Sequence, residues 1–178
     1  MSKNILIISS SPRKGGNSDL LCDSFMTGAL SAGHRVEKIR LAEKDIHYCR
    51  GCGVCNNDKP CPQKDDMAGL LEKLVAADVI VLATPVYFYT LSGQMKTFID
   101  RTVTRYKEIR DKEFYFIVAA AEEEKPAMER TIECFRGFLD CLDGAMERGT
   151  VYGTGAWQMG DIRETPALRQ AEVMGAAV

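Results

Sequence analysis

NILIISSSPRKGGNS, residues 4–18, joins an almost continuous apolar run to a loop that is dense in hydroxyl groups and turn-forming residues. The run Asn4–Ser9 is typical of a parallel strand that is buried on both faces. Beyond the loop, apolar residues recur at helical spacing from Leu21 to Leu30, and Gly33 marks the end of the predicted helix. A strand, a loop and a helix in this order form a βα unit, whose loop lies against the unpaired amides and the positive end of the helix dipole.

The same alternation of strands and helices continues along the chain. Residues 78–83 (DVIVLA) form the clearest of the later strands, and Pro85 indicates that a loop covers residues 84–90. The remaining pattern predicts strands over 35–41, 114–121 and 144–152, and helices that begin near 65–66, 92 and 126 and cover 164–177. Five strands that alternate with helices predict an α/β fold of three layers, with a five-stranded parallel sheet of order 2-1-3-4-5 and helices on both faces. We expect one domain over residues 1–178.

The composition excludes several classes of protein. Apolar residues make up 46% of the chain and charged residues 27%, and the formal net charge is -2. This near-neutral balance is unlike the basic surface of a nucleic-acid-binding protein. No apolar run approaches the ~20 residues of a membrane span, and the N-terminus MSKNILIISSSP lacks the features of a signal peptide. We therefore expect a cytoplasmic protein with no membrane span and no nucleic-acid partner.

The first loop, residues 9–18, contains the groups that bind a phosphate. Ser9, Ser11, Asn17 and Ser18 supply donors, and Arg13 supplies positive charge. The sequence matches neither G-x-x-x-x-G-K-[ST] nor G-x-G-x-x-G, which disfavours a nucleoside triphosphate and a dinucleotide. A monophosphate ligand is the better match, and the alternative is a polar turn with an ordinary helix cap.

Several motifs occur in order and at matching distances along the chain. They are S-S-S-P-R-K-G-G-N-S at 9–18, C-x-G-C-x-x-C at 49–55, D-D-M at 65–67, T-P-V-Y at 84–87 and K-x-F-I-D-R at 96–101. Together they resemble the NADPH-dependent FMN reductase family of flavodoxin-like proteins, and within it the iron–sulfur flavoprotein branch. The resemblance covers residues 3–121 well and the rest of the chain weakly.

The resemblance implies two groups of FMN-binding residues. The phosphate would contact the first loop at Ser9, Ser11, Pro12, Arg13, Asn17 and Ser18. The isoalloxazine ring would contact the loop after the third strand at Pro85, Val86, Tyr87, Phe88 and Tyr89. A flat ring favours backbone amides at its polar edge and apolar or aromatic groups along its face, which suits the second group. Taken alone, the three aromatic residues would equally suit the core or a dimer interface.

The resemblance also implies an NAD(P)H-dependent FMN reductase or a quinone-reductase-like oxidoreductase. A hydride would pass from the nicotinamide to FMN and onward to a quinone, a flavin or a similar small acceptor. The cofactor carries this chemistry, so no side chain is assigned as catalytic. Two alternatives stay open: an iron–sulfur flavoprotein that exchanges electrons with a ferredoxin-like protein, and a flavin-binding module without catalysis. Because related proteins are typically oligomers, we expect a homodimer or homotetramer.

The cysteine loop, residues 42–64, contains Cys49, Cys52, Cys55 and Cys61. Their compact spacing suits a [4Fe–4S] cluster, and the resemblance to iron–sulfur flavoproteins supports one. A zinc site is the less suitable alternative, because structural zinc usually takes two separated cysteine pairs. Members of the wider family also have similar cysteines without a cluster, and we favour a cluster-free thiol loop.

Two further sets of residues are expected to be structural. Lys96, Asp100 and Arg101 match the family motif, and their spacing predicts an ion pair on a helix surface. The other cysteines fall on predicted helices, where we expect small core residues: Cys22, Cys134 and Cys141.

Overall fold

The apolar runs of the chain form the strands of one parallel sheet. In the computed structural model, which describes residues 1–57 and 59–178, the strands are β1 (Asn4–Ser9), β2 (Arg35–Arg40), β3 (Val79–Pro85), β4 (Glu113–Ala119) and β5 (Met146–Gly153). Their order is β2-β1-β3-β4-β5, and all neighbouring strands pair in parallel. The predicted flavodoxin-like sheet order 2-1-3-4-5 is confirmed.

Five helices cover the two faces of the sheet: α1 (Asn17–Ser31), α2 (Met67–Ala76), α3 (Gly93–Arg101), α4 (Glu129–Leu139) and α5 (Ala167–Ala176). Successive residues of β1 point to opposite faces. Ile5 and Ile7 pack with α1 and α5, whereas Leu6 and Ile8 pack with α2, α3 and α4. The sheet therefore separates two hydrophobic cores, which is why β1 is apolar at almost every position.

Strand β3 is longer than the sequence predicts. Thr84 and Pro85, which were expected in a loop, continue the strand and lie in register with Val118 and Ala119 of β4. Proline is tolerated here because it is the last residue of the strand, and Val86 resumes the pairing by donating its amide to the Ala119 carbonyl at 2.8 Å. The following loop is consequently held close to the end of β4.

Two of the three cysteines that were predicted on helices lie outside the core. Cys22 is buried on α1 as expected, but Cys134 and Cys141 are exposed. The buried face of α4 contains Ile132 and Phe135, and Cys134 projects from the opposite side of the helix. For Cys134 the prediction failed because it did not take into account which face of the helix the residue occupies. Cys141 lies in the turn that follows α4.

No helix within residues 1–57 and 59–178 combines the length and the apolar character needed to cross a bilayer.

Helices α1 and α5 touch backbone to backbone at two glycines. A Cβ atom built on Gly28 would lie 1.9 Å from the Glu172 carbonyl oxygen, and one on Gly175 would lie 2.1 Å from the Phe25 carbonyl oxygen. Neither position has room for a side chain, so the two helices can pack at this distance only because both residues are glycine.

We expect Gly28→Ala to lower the free energy of unfolding by about 1–3 kcal/mol, because the methyl group forces the two helices apart. Gly137→Ala is the matched control, since Gly137 lies within α4 and an added Cβ meets nothing within 4 Å. The control is expected to gain about 0.5–1 kcal/mol from the lower entropy cost of alanine in a helix. Urea unfolding followed by circular dichroism measures both, and equal stability of the two variants would contradict the packing argument.

Candidate functional site

A cavity of about 820 Å³ opens at the edge of the sheet where the strands end. This main cavity lies within the size range of small-molecule binding sites. Its walls are the first loop (Ser11, Arg13, Asn17 and Ser18), the end of β3 with the loop after it (Pro85, Val86, Tyr87 and Phe88), the end of β4 with the loop after it (Ala119, Ala120 and Ala121) and the loop after β5 (Ala156, Trp157 and Gln158).

One end of the main cavity presents unpaired donors. The hydroxyl of Ser18 is buried and has no hydrogen-bond partner. Ser18 is in the first turn of α1, where backbone amides have no carbonyl partner within the helix. Gly16 lies close against Ser11 within the first loop, because a Cβ on Gly16 would be only 2.6 Å from the Ser11 Oγ. Arg13 is exposed at the rim, so this end is suited to an anion.

Asn17 connects the first loop to the opposite wall. Its Nδ2 donates to the carbonyls of Ala156 at 3.1 Å and Gln158 at 2.8 Å, and its Oδ1 accepts the amides of Gly160 at 2.9 Å and Ile162 at 3.4 Å. All the polar capacity of the side chain is used in these four bonds. Asn17 thus shapes the cavity by tethering the loop that contains Trp157.

The other end of the main cavity is apolar and includes a tight turn. The backbones of Tyr87 and Thr90 donate to each other at 3.0 and 3.1 Å. Phe88 and Tyr89 between them both have positive φ, at 49° and 61°, a conformation that is strained for bulky residues. The turn leaves the side chain of Phe88 fully exposed. On the far side, Trp157 is 72% exposed, so aromatic groups flank the cavity mouth.

Three of the predicted contact residues do not line the main cavity. The Ser9 hydroxyl donates to the Asp19 Oδ1 at 2.9 Å, and Pro12 is exposed on the first loop. Tyr89 donates its hydroxyl to the Glu122 Oε1 at 3.0 Å. The other predicted residues of both groups all line the cavity.

The sequence prediction missed the walls formed by residues 119–121 and 156–158. Alanines have no functional group that could have marked them. The available signal was Trp157, the only tryptophan of the chain, which follows shortly after the fifth strand at the edge where ligands bind in such sheets.

A sequence model described as NADPH-dependent FMN reductase matches residues 3–142. The chain belongs to this family. An iron–sulfur flavoprotein of Archaeoglobus fulgidus is 43% identical over 51% of this chain and 41% of its own length. YwqN of Bacillus subtilis, a candidate NAD(P)H-dependent FMN-containing oxidoreductase, is 26% identical over 97% of this chain and 93% of its own. The chain spans about half the length of the iron–sulfur flavoproteins that it matches.

The same architecture occurs among solved structures. NAD(P)H:quinone oxidoreductase from Methanothermobacter marburgensis superposes with a TM-score of 0.77 at 18% identity, over 99% of this chain and 96% of that one. At this identity the likeness concerns the fold.

A second cavity, of about 270 Å³, is lined by all four cysteines of the cysteine loop: Cys49, Cys52, Cys55 and Cys61. Arg101 and Thr104 complete its wall, and the Nε of the first and the hydroxyl of the second are buried without a hydrogen-bond partner. The residues that the structure describes include no group of three or more His, Cys, Asp or Glu side chains arranged to hold a metal ion.

Arg101 is buried, in contrast to its predicted place on the helix surface. Lys96 and Asp100 do form the expected surface pair at 2.5 Å. Arg101, at the end of α3, instead points inward and binds both carboxylate oxygens of Asp65, at 2.6 and 3.0 Å. Its guanidinium also donates to the His47 carbonyl at 2.5 Å and lies 3.7 Å from the Cys61 sulfur. One buried cation thereby fixes both ends of the segment that contains the cysteines.

The Arg101 guanidinium lowers the pKa of Asp65 from 3.8 to about 2, against the opposing effect of burial. Asp65 therefore stays charged in the folded chain at pH values where the unfolded chain, with a pKa near 3.8, is already protonated. The stabilisation is present above that pH and is lost as the pH falls toward 2.

We expect this pair to account for about 2 kcal/mol of the unfolding free energy lost between about pH 4 and pH 2. Asp65→Asn is expected to be less stable near neutral pH and to lack this part of the slope. Asp100→Asn, which removes the carboxylate of the exposed pair, is expected to keep it. Urea unfolding at a series of pH values gives the slopes, and parallel curves for Asp65→Asn and the unsubstituted protein would refute this assignment.

Proposed function

We propose that the chain is an FMN-dependent NAD(P)H oxidoreductase that passes electrons from a nicotinamide to a quinone, a flavin or a similar small acceptor. The observation that carries the proposal is the polarity of the main cavity. Its donor end contains the buried, unpartnered hydroxyl of Ser18 at the start of α1, and its other end is flanked by Tyr87, Phe88 and Trp157. A ligand with a phosphate at one end and a flat aromatic ring at the other matches these two ends of the cavity.

FMN supplies the chemistry of accepting a hydride and passing electrons onward, and the chain supplies binding and position. Arg13 and Ser18 would bind the phosphate, and the small residues Ala119–Ala121 leave room for the ring system. Among the described residues that line the main cavity there is no His, Cys, Asp or Glu.

The relatives support the proposal at the level of the family. YwqN, whose name specifies NAD(P)H-dependent and FMN-containing oxidoreduction, matches nearly the whole chain. The NADPH-dependent FMN reductase model covers the first loop and the loop after β3.

Arg13→Ala tests the phosphate contact. A charge-assisted hydrogen bond contributes about 1.5–3 kcal/mol, so we expect FMN affinity to fall roughly 10- to 100-fold. Riboflavin, which lacks the phosphate, is expected to bind almost unchanged. Lys14→Ala is the matched control, because Lys14 is an exposed neighbour of the same charge that does not line the cavity.

Flavin fluorescence titration gives the six affinities of the unsubstituted protein and the two variants for FMN and riboflavin, and NADPH-driven bleaching of the bound flavin tests turnover. Equal losses for FMN and riboflavin in Arg13→Ala would show that the first loop does not hold the phosphate. A flavin that binds but is not bleached by NADH or NADPH would favour the non-catalytic flavin-binding module.

The second candidate is an iron–sulfur flavoprotein that carries electrons between a ferredoxin-like protein and FMN. It is favoured by the single cavity that all four loop cysteines line and by the Archaeoglobus relative. The unpartnered Nε of Arg101 beside that cavity also suits an anionic centre. We place the cluster-free reductase first, because YwqN, the relative that matches nearly the whole chain, is named as an NAD(P)H-dependent FMN-containing oxidoreductase. The homodimer or homotetramer stays a prediction.

Cys52→Ser separates the two candidates. If the protein is a cluster-free reductase, we expect no stoichiometric iron after anaerobic purification, and Cys52→Ser should keep its FMN and its NAD(P)H bleaching. Cys134→Ser, which removes an exposed thiol from α4, is the control. About four irons per chain with matching sulfide, lost in Cys52→Ser but not in the control, would establish the carrier instead.

A further inference from the structure

We propose that Lys38, a residue outside the main cavity, determines how strongly the site prefers FMN to riboflavin. It does so by neutralising Asp19, a buried carboxylate beside the first loop. This inference rests on the proposed function, because it concerns the phosphate of the flavin. It identifies a positioning residue in β2, a strand that contributes no side chain to the cavity.

Asp19 braces the first loop from behind. It is the third residue of α1, and its side chain is 3% exposed. The Oδ2 accepts the Gly15 amide at 3.0 Å, and the Oδ1 accepts the Ser9 hydroxyl at 2.9 Å. The carboxylate thus holds both sides of the loop and is next in sequence to Ser18.

This position brings two anions close together once a phosphate is bound. The start of α1 favours one negative charge through its unpaired amides and its dipole. A buried carboxylate at the same helix end would repel a phosphate strongly, because charges are poorly screened away from water. The site can bind a phosphate well only if the charge of Asp19 is balanced.

Two cations from β2 provide that balance. The Lys38 Nζ lies 3.1 Å from the Asp19 Oδ1, and the Arg40 Nε lies 3.5 Å from the Asp19 Oδ2. Both side chains are largely buried, at 15% and 11% exposure. They reach Asp19 because β2 pairs with β1 in parallel, with Lys38 beside Ile7 and Arg40 beside Ser9, so both project toward α1.

The other partners of these cations are in solvent. Lys38 also pairs with Asp23 and Arg40 with Glu43, and these carboxylates are 53% and 59% exposed. Because water screens an exposed charge well, Asp23 and Glu43 depend on the two cations less than the buried Asp19 does. Burial by itself would raise the pKa of Asp19, but the Gly15 amide and the Lys38 ammonium outweigh it and lower the pKa. Asp19 is therefore charged near neutral pH, and its balance matters for the bound phosphate.

The test is a double-mutant cycle with FMN and riboflavin as the two probes. Lys38→Met keeps the apolar stem and removes the charge, so FMN affinity is expected to fall about tenfold, with riboflavin affinity changing less than about threefold. Asp19→Asn is expected to bind FMN at least as tightly as the unsubstituted protein. The double variant Asp19→Asn/Lys38→Met is expected to regain most of the FMN affinity that Lys38→Met loses.

Recovery on removing the second charge distinguishes electrostatic balance from support of the loop, because a bracing role predicts that the double variant binds no better than Lys38→Met. Lys38→Arg keeps the charge and should keep the ratio of FMN to riboflavin affinity. Lys73→Met removes another paired lysine, which binds Glu37 at 2.7 Å on the other face of β2, and should also keep the ratio.

Equal losses of FMN and riboflavin in Lys38→Met, or no recovery in the double variant, would overturn the inference. If Lys38→Met does not fold, Asp19→Asn by itself tests the inference. A ratio of FMN to riboflavin affinity lower in this variant than in the unsubstituted protein would contradict the charge argument. Failure of the proposed function looks different, since the unsubstituted protein would then show no preference for FMN over riboflavin, or would bind FMN without bleaching by NADH or NADPH.

Discussion

The site depends on the start of α1, where backbone amides that cannot pair within the helix lie at the carboxyl edge of a parallel sheet. Because parallel strands all end at the same edge of the sheet, the loops after β1, β3, β4 and β5 lie close together there. A loop that lies against free amides and a positive dipole end is suited to an anion. The neighbouring loops then have to provide only apolar walls, which alanines and aromatic residues do.

Much of the fold could be predicted because the buried strands are nearly continuous apolar runs, as in Asn4–Ser9. The cavity was predicted where chemistry marked it, at Arg13 and Ser18. It was missed at residues 156–158, because Asn17, about 140 residues earlier in the chain, positions them: its Nδ2 donates to the carbonyls of Ala156 and Gln158, and its Oδ1 accepts two amides just beyond them. The orientation of Ser9 likewise depends on Asp19, and sequence spacing does not show that the hydroxyl is already taken.

Helix α3 contacts the first loop at one end and the cysteine loop at the other. Its N-cap residue, Ser92, accepts the Met95 amide and donates its hydroxyl to that of Ser10, within the first loop, at 2.9 Å. Its other end is Arg101, which fixes the cysteine loop through Asp65. The nine residues of the helix span roughly 14 Å at 1.5 Å per residue. The cysteine loop and the first loop are thus attached to opposite ends of one short rigid rod.

The close contact of Gly28 with α5 also bears on how the chain is assembled. Helix α1 carries the start of the anion site, yet the helix packed against it is the last of the five to be synthesised. Until α5 has been synthesised, the strip of α1 around Gly28 has no helix to pack against. Contacts between segments so distant in sequence slow folding, so FMN that binds the finished loop would act late, by trapping the docked state rather than by guiding the nascent chain.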